Sequence, residues 1–92
     1  MTDWVVYIVQ CMDKSFYTGI TTDIQRRIIE HNSDGKGARY TRSRQPVKLV
    51  FQQTFESRSL ACKQEYVIKQ LSRDQKIKLI ADSQADLLAT RK

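Results

Sequence analysis

Apolar side chains first gather between Trp4 and Cys11, where "WVVYIVQC" is aliphatic, aromatic or β-branched at odd and even positions alike. A short run apolar on both faces is the pattern of a central strand covered from both sides. "MDKS" reads as a turn, and "FYTGI" as a second strand paired with the first in a hairpin. Loop length decides which side chains share a face. A three-residue loop, Asp13 to Ser15, gathers Trp4, Val6, Ile8, Phe16 and Ile20 on one face and leaves Tyr7, Tyr17 and Gly19 on the other. A two-residue loop would split the two tyrosines between faces. The three-residue register is expected, because it leaves one face apolar apart from Gln10 and Thr18. It sets Tyr7 and Tyr17 about 13 Å apart along the hairpin, at 3.3 Å per residue.

The period then changes to that of a helix. Thr22 or Asp23 caps it, Ile24 and Ile28 form a narrow apolar stripe, and it ends near Asn32. Arg27 and His31, four residues apart, border that stripe. "SDGKGARYTRSRQP" reads as a loop, its proline holding Gln45 extended. "VKLVFQQTF" alternates as a third strand, with Val47, Leu49, Phe51 and Phe55 on one face. Ser57 caps a longer helix, "RSLACKQEYVIKQL", with a stripe of Leu60, Ala61, Val67, Ile68 and Leu71 and with Glu65 on its border. "SRDQ" is a capping box that starts another helix through Ile77 and Ile80. The expected order is β-β-α-β-α-α, an α/β (α+β) fold in which a small three-stranded, mainly antiparallel sheet is flanked by helices. Residues 1–81 are expected to form the domain, and 82–92 a C-terminal tail adding a marginal helix through Leu87 and Leu88.

Composition narrows the function. A chain of 92 residues makes one domain, burying roughly 60–65% of its unfolded surface. With 40% hydrophobic and 28% charged residues it is not a disordered chain. It has no apolar run near the ~20 residues of a membrane span. "MTDWVVYIVQ" lacks the basic start of a signal peptide, so a cytoplasmic protein away from membranes is expected. Cys11 and Cys62, with a single histidine, cannot build a disulfide framework or a four-ligand zinc site, and read as reduced packing residues. Of a net charge of +6, +5 lies between Ile24 and Lys48, where seven basic residues face Glu30 and Asp34. A polyanion, nucleic acid before others, is the expected partner.

Tyr7, Tyr17, Arg27, His31 and Glu65 are the side chains able to do chemistry together, and each has a plainer explanation. The tyrosines suit a sheet with wet hydroxyls. Arg27 suits a stem laid along the core edge. His31 suits a helix C-terminus, and Glu65 a solvated carboxylate. Gly19 suits a bulge or strand end as well as a close approach of substrate.

Taken together, "VVY", ten residues, "YTG", then Arg27, His31 and a helical glutamate resemble the GIY-YIG nuclease superfamily. The tripeptides correspond to Val5–Tyr7 and Tyr17–Gly19. The likeness runs from about residue 3 to 81, through "ARYTRSRQPVKLVF" and "EYVIKQLSR", and points to short stand-alone bacterial members. It implies a metal-dependent endonuclease acting on DNA, with low sequence specificity and structure selectivity suited to repair or recombination. Glu65 would hold one divalent cation, Mg²⁺ or Mn²⁺, with no small-molecule cofactor. Arg27 would clamp the phosphate, which its planar fork matches while staying charged. Tyr7 and Tyr17 would place or activate water, with Tyr7 and His31 both standing as the general base. Moving a tyrosine from about 10 to about 7 requires roughly 4 kcal/mol in favour of the phenolate.

Gly19, Arg26, Lys36, Arg39, Tyr40, Arg42 and Arg44 are the expected nucleic-acid contacts, Tyr40 by stacking. Two departures stand out: Ile20 follows the second tripeptide where some members have lysine, and no asparagine follows Glu65. Related nucleases carry a separate targeting domain, so weak, salt-sensitive binding and a targeting partner are expected. Two other readings stay open: a non-catalytic nucleic-acid-binding module on the same fold, and a basic protein-interaction domain.

Overall fold

The computed structural model describes residues 3–33 and 37–90, with side chains to residue 84. Its elements are β1 (Trp4–Gln10), β2 (Phe16–Thr21), α1 (Ile24–His31), α2 (Arg39–Arg42), β3 (Lys48–Phe55), α3 (Arg58–Lys69) and α4 (Arg73–Thr90). The sheet is antiparallel in the order β2-β1-β3. β1 is therefore central, and Val6 to Val9 are buried on both of its faces. Apart from α2, the order matches the expected one.

One face packs Val6, Ile8 and Phe51 against Ala61 and Ile68 of α3 and Ile80 of α4. The other packs Tyr7, Val9, Cys11 and Val47 under Ile24 and Ile28 of α1, with Tyr17 and Leu49 beside them. Arg73 ties α4 to the hairpin, donating to the Lys14 carbonyl at 2.9 Å and lying 4.9 Å from the centre of the Phe16 ring. No described helix is long and apolar enough to cross a membrane.

The hairpin register differs from the expected one by two residues. Val6 faces Ile20 and Tyr7 faces Gly19, so the connection spans Cys11–Ser15. Lys14 takes the left-handed φ of 72° that closes this turn, and the Cys11 amide donates to the Ser15 carbonyl at 2.8 Å. A slip of two preserves every face, so the side-chain grouping holds while the spacing changes. Tyr17 stands opposite Val9, a diagonal neighbour of Tyr7.

β3 departs from its simple alternation. Ile8 pairs with Phe51 but Val9 with Leu49, leaving Val50 as the extra residue of a bulge. Val47 and Leu49 consequently join the α1 face, while Val50, Phe51 and Phe55 join the α3 face. They do not share a face as the alternation predicted. On α3 the buried stripe is narrower than expected: Leu60 and Val67 are 45% and 51% exposed. Glu65 sits four residues after buried Ala61 and three before buried Ile68, on the packed side of the helix. Ser57 caps α3 through the Leu60 amide. Ser72 and Gln75 form the reciprocal capping box at α4. That helix runs unbroken from Arg73 to Thr90; the side chains of Leu87 and Leu88 lie outside the described residues.

Candidate active site

Two strands and one helix converge on the Tyr7 hydroxyl. Tyr7 is 1% exposed and projects from the centre of β1 over Gly19. A Cβ on Gly19 would lie 2.6 Å from Tyr7 Oη and 2.9 Å from its Cζ. Glycine is thus required beneath Tyr7 itself, and the space above it is filled by that ring rather than held open for a substrate backbone.

Asp23 caps α1 by accepting from the Arg26 amide, and its carbonyl accepts from Arg27 N–H at 3.0 Å. The cap fixes the helix phase, which turns Arg27 and His31 towards the sheet. His31 is fully buried, and its Nε2 lies 2.7 Å from Tyr7 Oη. The Arg27 guanidinium acts on the same hydroxyl, pulling its pKa down. It also holds Glu30 at 3.0 Å. The Tyr17 ring centre is 6.5 Å from that of Tyr7 and 5.3 Å from that of His31. These four predicted residues therefore share one site, and the 13 Å separation disappears with the two-residue change of register.

Burial pushes the Tyr7 hydroxyl up to about 12, against the pull of Arg27. Burial also takes His31 down to about 4, helped by the positive Arg27 and opposed by Glu30. The imidazole is neutral at neutral pH and its resting partner is a phenol.

Thr41 completes the cluster and was not singled out from the sequence. It is fully buried in a segment expected to be loop, where residues 39–42 form the short α2. Its Oγ1 lies 2.8 Å from His31 Nδ1 and donates to the Ala38 carbonyl at 3.0 Å. Gly37 admits this packing, since a Cβ there would lie 2.8 Å from His31 Cα and 3.2 Å from Thr41 Oγ1. Asn32 and Gln45 lock the same region. Asn32 exchanges two hydrogen bonds with the Val47 backbone, and Gln45 Nε2 donates to the His31 carbonyl at 2.7 Å. The available signal was the polar run itself: a glycine, an asparagine and a threonine flanking the only histidine.

The other predicted residues lie around this centre. Glu65 reaches Tyr7 as a weak field that helps raise its pKa, and pairs with Lys69 Nζ at 3.4 Å. Arg26, Arg39 and Arg42 are exposed. Tyr40 is already engaged: it stacks on Tyr17 at 6.1 Å, and Arg44 lies 4.1 Å from its ring centre. Arg44 also binds Asp13 at 3.0 Å and the Tyr40 carbonyl at 2.8 Å, so much of its donor capacity serves the fold. Lys36 lies outside the described residues. Among the described residues no three His, Cys, Asp or Glu side chains gather as a metal cage. The donor set fits a cation that keeps most of its water and takes one carboxylate, as Mg²⁺ does.

Residues 3–78 match the family model of the GIY-YIG catalytic domain. A UPF0213 protein of Desulfotalea psychrophila is 62% identical over 81 residues, 88% of this chain and 74% of that one. Another, from Staphylococcus haemolyticus, is 52% identical over 82 residues, 89% and 99% of the two chains. The solution NMR structure of a UPF0213 protein from Bacillus halodurans superposes with a TM-score of 0.56 at 49% identity, over 86% of this chain and 83% of that one.

Proposed function

The chain belongs to the GIY-YIG catalytic domain family, and from that premise we propose that it is a metal-dependent DNA endonuclease of low sequence specificity. The carrying observation is the convergence of Arg27 and His31 on one buried hydroxyl, Tyr7 Oη, with Tyr17 alongside. A structural tyrosine needs one partner for its hydroxyl. This one has a cation and a neutral base together.

Arg27 clamps a phosphate oxygen with its fork, at the expense of its present pair with Glu30. Tyr7 and His31 act as a pair rather than as alternatives: water gives a proton to Tyr7 Oη while the phenol proton passes to His31 Nε2. Burial raises the phenol and lowers the imidazolium, so both changes hold the proton on Tyr7 at rest. The pair rests neutral, and the positive Arg27 assists the transfer by pulling the phenol towards ionisation. Glu65 would hold the Mg²⁺ or Mn²⁺, and Lys69 must release it. When bound, the cation supplies Lewis-acid polarisation of the phosphate and neutralises the leaving oxygen. Exposed Arg26, Arg39 and Arg42 hold the backbone without reading bases. Cutting selected by DNA shape would suit repair or recombination.

A binding module without cleavage is favoured by the two internal pairs, Arg27–Glu30 and Glu65–Lys69. One assay separates the readings: single-stranded, duplex and branched DNA, with and without Mg²⁺ or Mn²⁺, using wild type, Glu65→Ala and Arg27→Ala. Metal-dependent nicking that both substitutions remove, about 100-fold or more, is expected. Equal DNA retention by wild type and Glu65→Ala, with no product from either, would discard the nuclease reading.

A further inference from the structure

The hydrogen bonds around His31 have a direction. At one end, Ala38 offers a carbonyl oxygen, which only accepts, so Thr41 Oγ1 spends its single proton on it at 3.0 Å. Thr41 Oγ1 can then only accept from His31 Nδ1 at 2.8 Å, which places the ring proton on Nδ1. At the other end, Nε2 is left bare by that tautomer and lies 2.7 Å from Tyr7 Oη, so it accepts the phenol proton. The Ala38 carbonyl therefore fixes the polarity from the Thr41 end, and each hydroxyl and ring nitrogen along the line has a partner.

We infer that Thr41, held by the Ala38 carbonyl, is a positioning residue that locks His31 in the Nδ1–H tautomer and so makes Nε2 the proton acceptor for Tyr7. The catalytic consequence rests on the nuclease reading above; the tautomer does not. When the Tyr7 proton passes to Nε2, the imidazolium formed donates both of its N–H groups, to Thr41 Oγ1 and to Tyr7 Oη. Nothing has to reorient during the transfer. With the other tautomer, Nε2–H would point at Tyr7 and no acceptor would face the phenol.

Thr41 is completely buried, and Gly37 brings its segment close against the end of α1. A hydroxyl buried and held in this way sets which ring nitrogen carries the proton.

His31 is the only histidine, so ¹⁵N labelling of histidine reports one ring without ambiguity. The measurement is its long-range ¹H–¹⁵N spectrum at neutral pH in wild type, Thr41→Ser and Thr41→Val. The Nδ1–H tautomer is expected in wild type and in Thr41→Ser, with a shift to Nε2–H in Thr41→Val. A parallel cleavage assay is expected to show kcat down about 100-fold in Thr41→Val with KM unchanged, and near-normal kcat in Thr41→Ser. A wild-type ring carrying its proton on Nε2 overturns the inference by itself, even where Thr41→Val fails to fold. So does a Thr41→Ser protein that behaves like Thr41→Val, because the methyl rather than the hydroxyl would then be responsible. A wild-type Nδ1–H ring in a protein that cuts no DNA upholds the tautomer and counts against the nuclease reading alone.

Discussion

Gly19 and His31 show how tightly single residues constrain the Tyr7 hydroxyl. A methyl group on Gly19 would meet Tyr7 Oη at 2.6 Å, and the ring is buried under α1 with little room to retreat. Gly19→Ala is expected to destabilise the fold by about 1–3 kcal/mol, as overpacking does. The urea midpoint measures the loss, and the Tyr7–His31 hydrogen bond should break with it. His31 makes a second prediction, through pH. Its ordinary value of 6.5 falls to about 4 on folding, chiefly by burial. Between those values the unfolded chain binds a proton that the folded one refuses, so stability falls as pH drops from about 6.5 to about 4. The loss is about 3 kcal/mol, and above pH 6.5 His31 contributes no slope. Urea titrations at neutral and acidic pH should show it in wild type and not in His31→Asn. Neither Thr41 nor Gly37 stood out in the sequence, because each matters only through what the folded chain presses against it.

At the scale of elements, caps and periods were the legible part. Asp23, Ser57 and the Ser72–Gln75 box sit where their residue types indicated, since caps are local chemistry. The face of each hairpin residue was legible too, because face depends only on parity. The exact register was not, since Lys14 closes the turn with a left-handed residue that nothing in "MDKS" marks. The bulge at Val50 was equally silent: it swaps faces within an unbroken alternation. Thr18, the polar exception on the α3 face, keeps a buried hydroxyl with no partner among the described residues. Thr18→Val should therefore raise stability by about 1 kcal/mol, read as a higher urea midpoint with an unchanged slope. A fall of similar size would mean that the hydroxyl is satisfied in solution.

For the whole molecule, charge and layering decide what can approach. The sheet separates the core under α3 and α4 from a second layer in which α1 covers Tyr7 and α2 meets His31 and Tyr17. The exposed cations of Arg26, Arg39 and Arg42 lie on those last two helices or their ends, whereas Arg44 is held by Asp13 and Tyr40. Three phosphate contacts predict an affinity for duplex DNA that drops about 40-fold between about 50 and about 200 mM salt. Fluorescence anisotropy across that range tests it. Replacing all three arginines with glutamine should flatten the dependence, while an unchanged slope would move the DNA surface elsewhere on the molecule.

Sequence by itself determined the fold class, the helix caps and the two-sided burial of β1, which follow from short-range periodicity and residue types. The grouping of Tyr7, Tyr17, Arg27 and His31 was expected from the resemblance of the motifs to the GIY-YIG family, and the fold brings the four side chains together. Tertiary structure alone decided the register that brings the two tyrosines together, the bulge that redirects β3 and the internal pairing of Tyr40 and Arg44. It also decided the contact of Thr41 with His31, ten residues along the chain. The physical reason is that a hydrogen bond's direction, unlike a periodicity, depends on every group around it in space. Those groups come from β1, α1 and α2 only once the chain is folded.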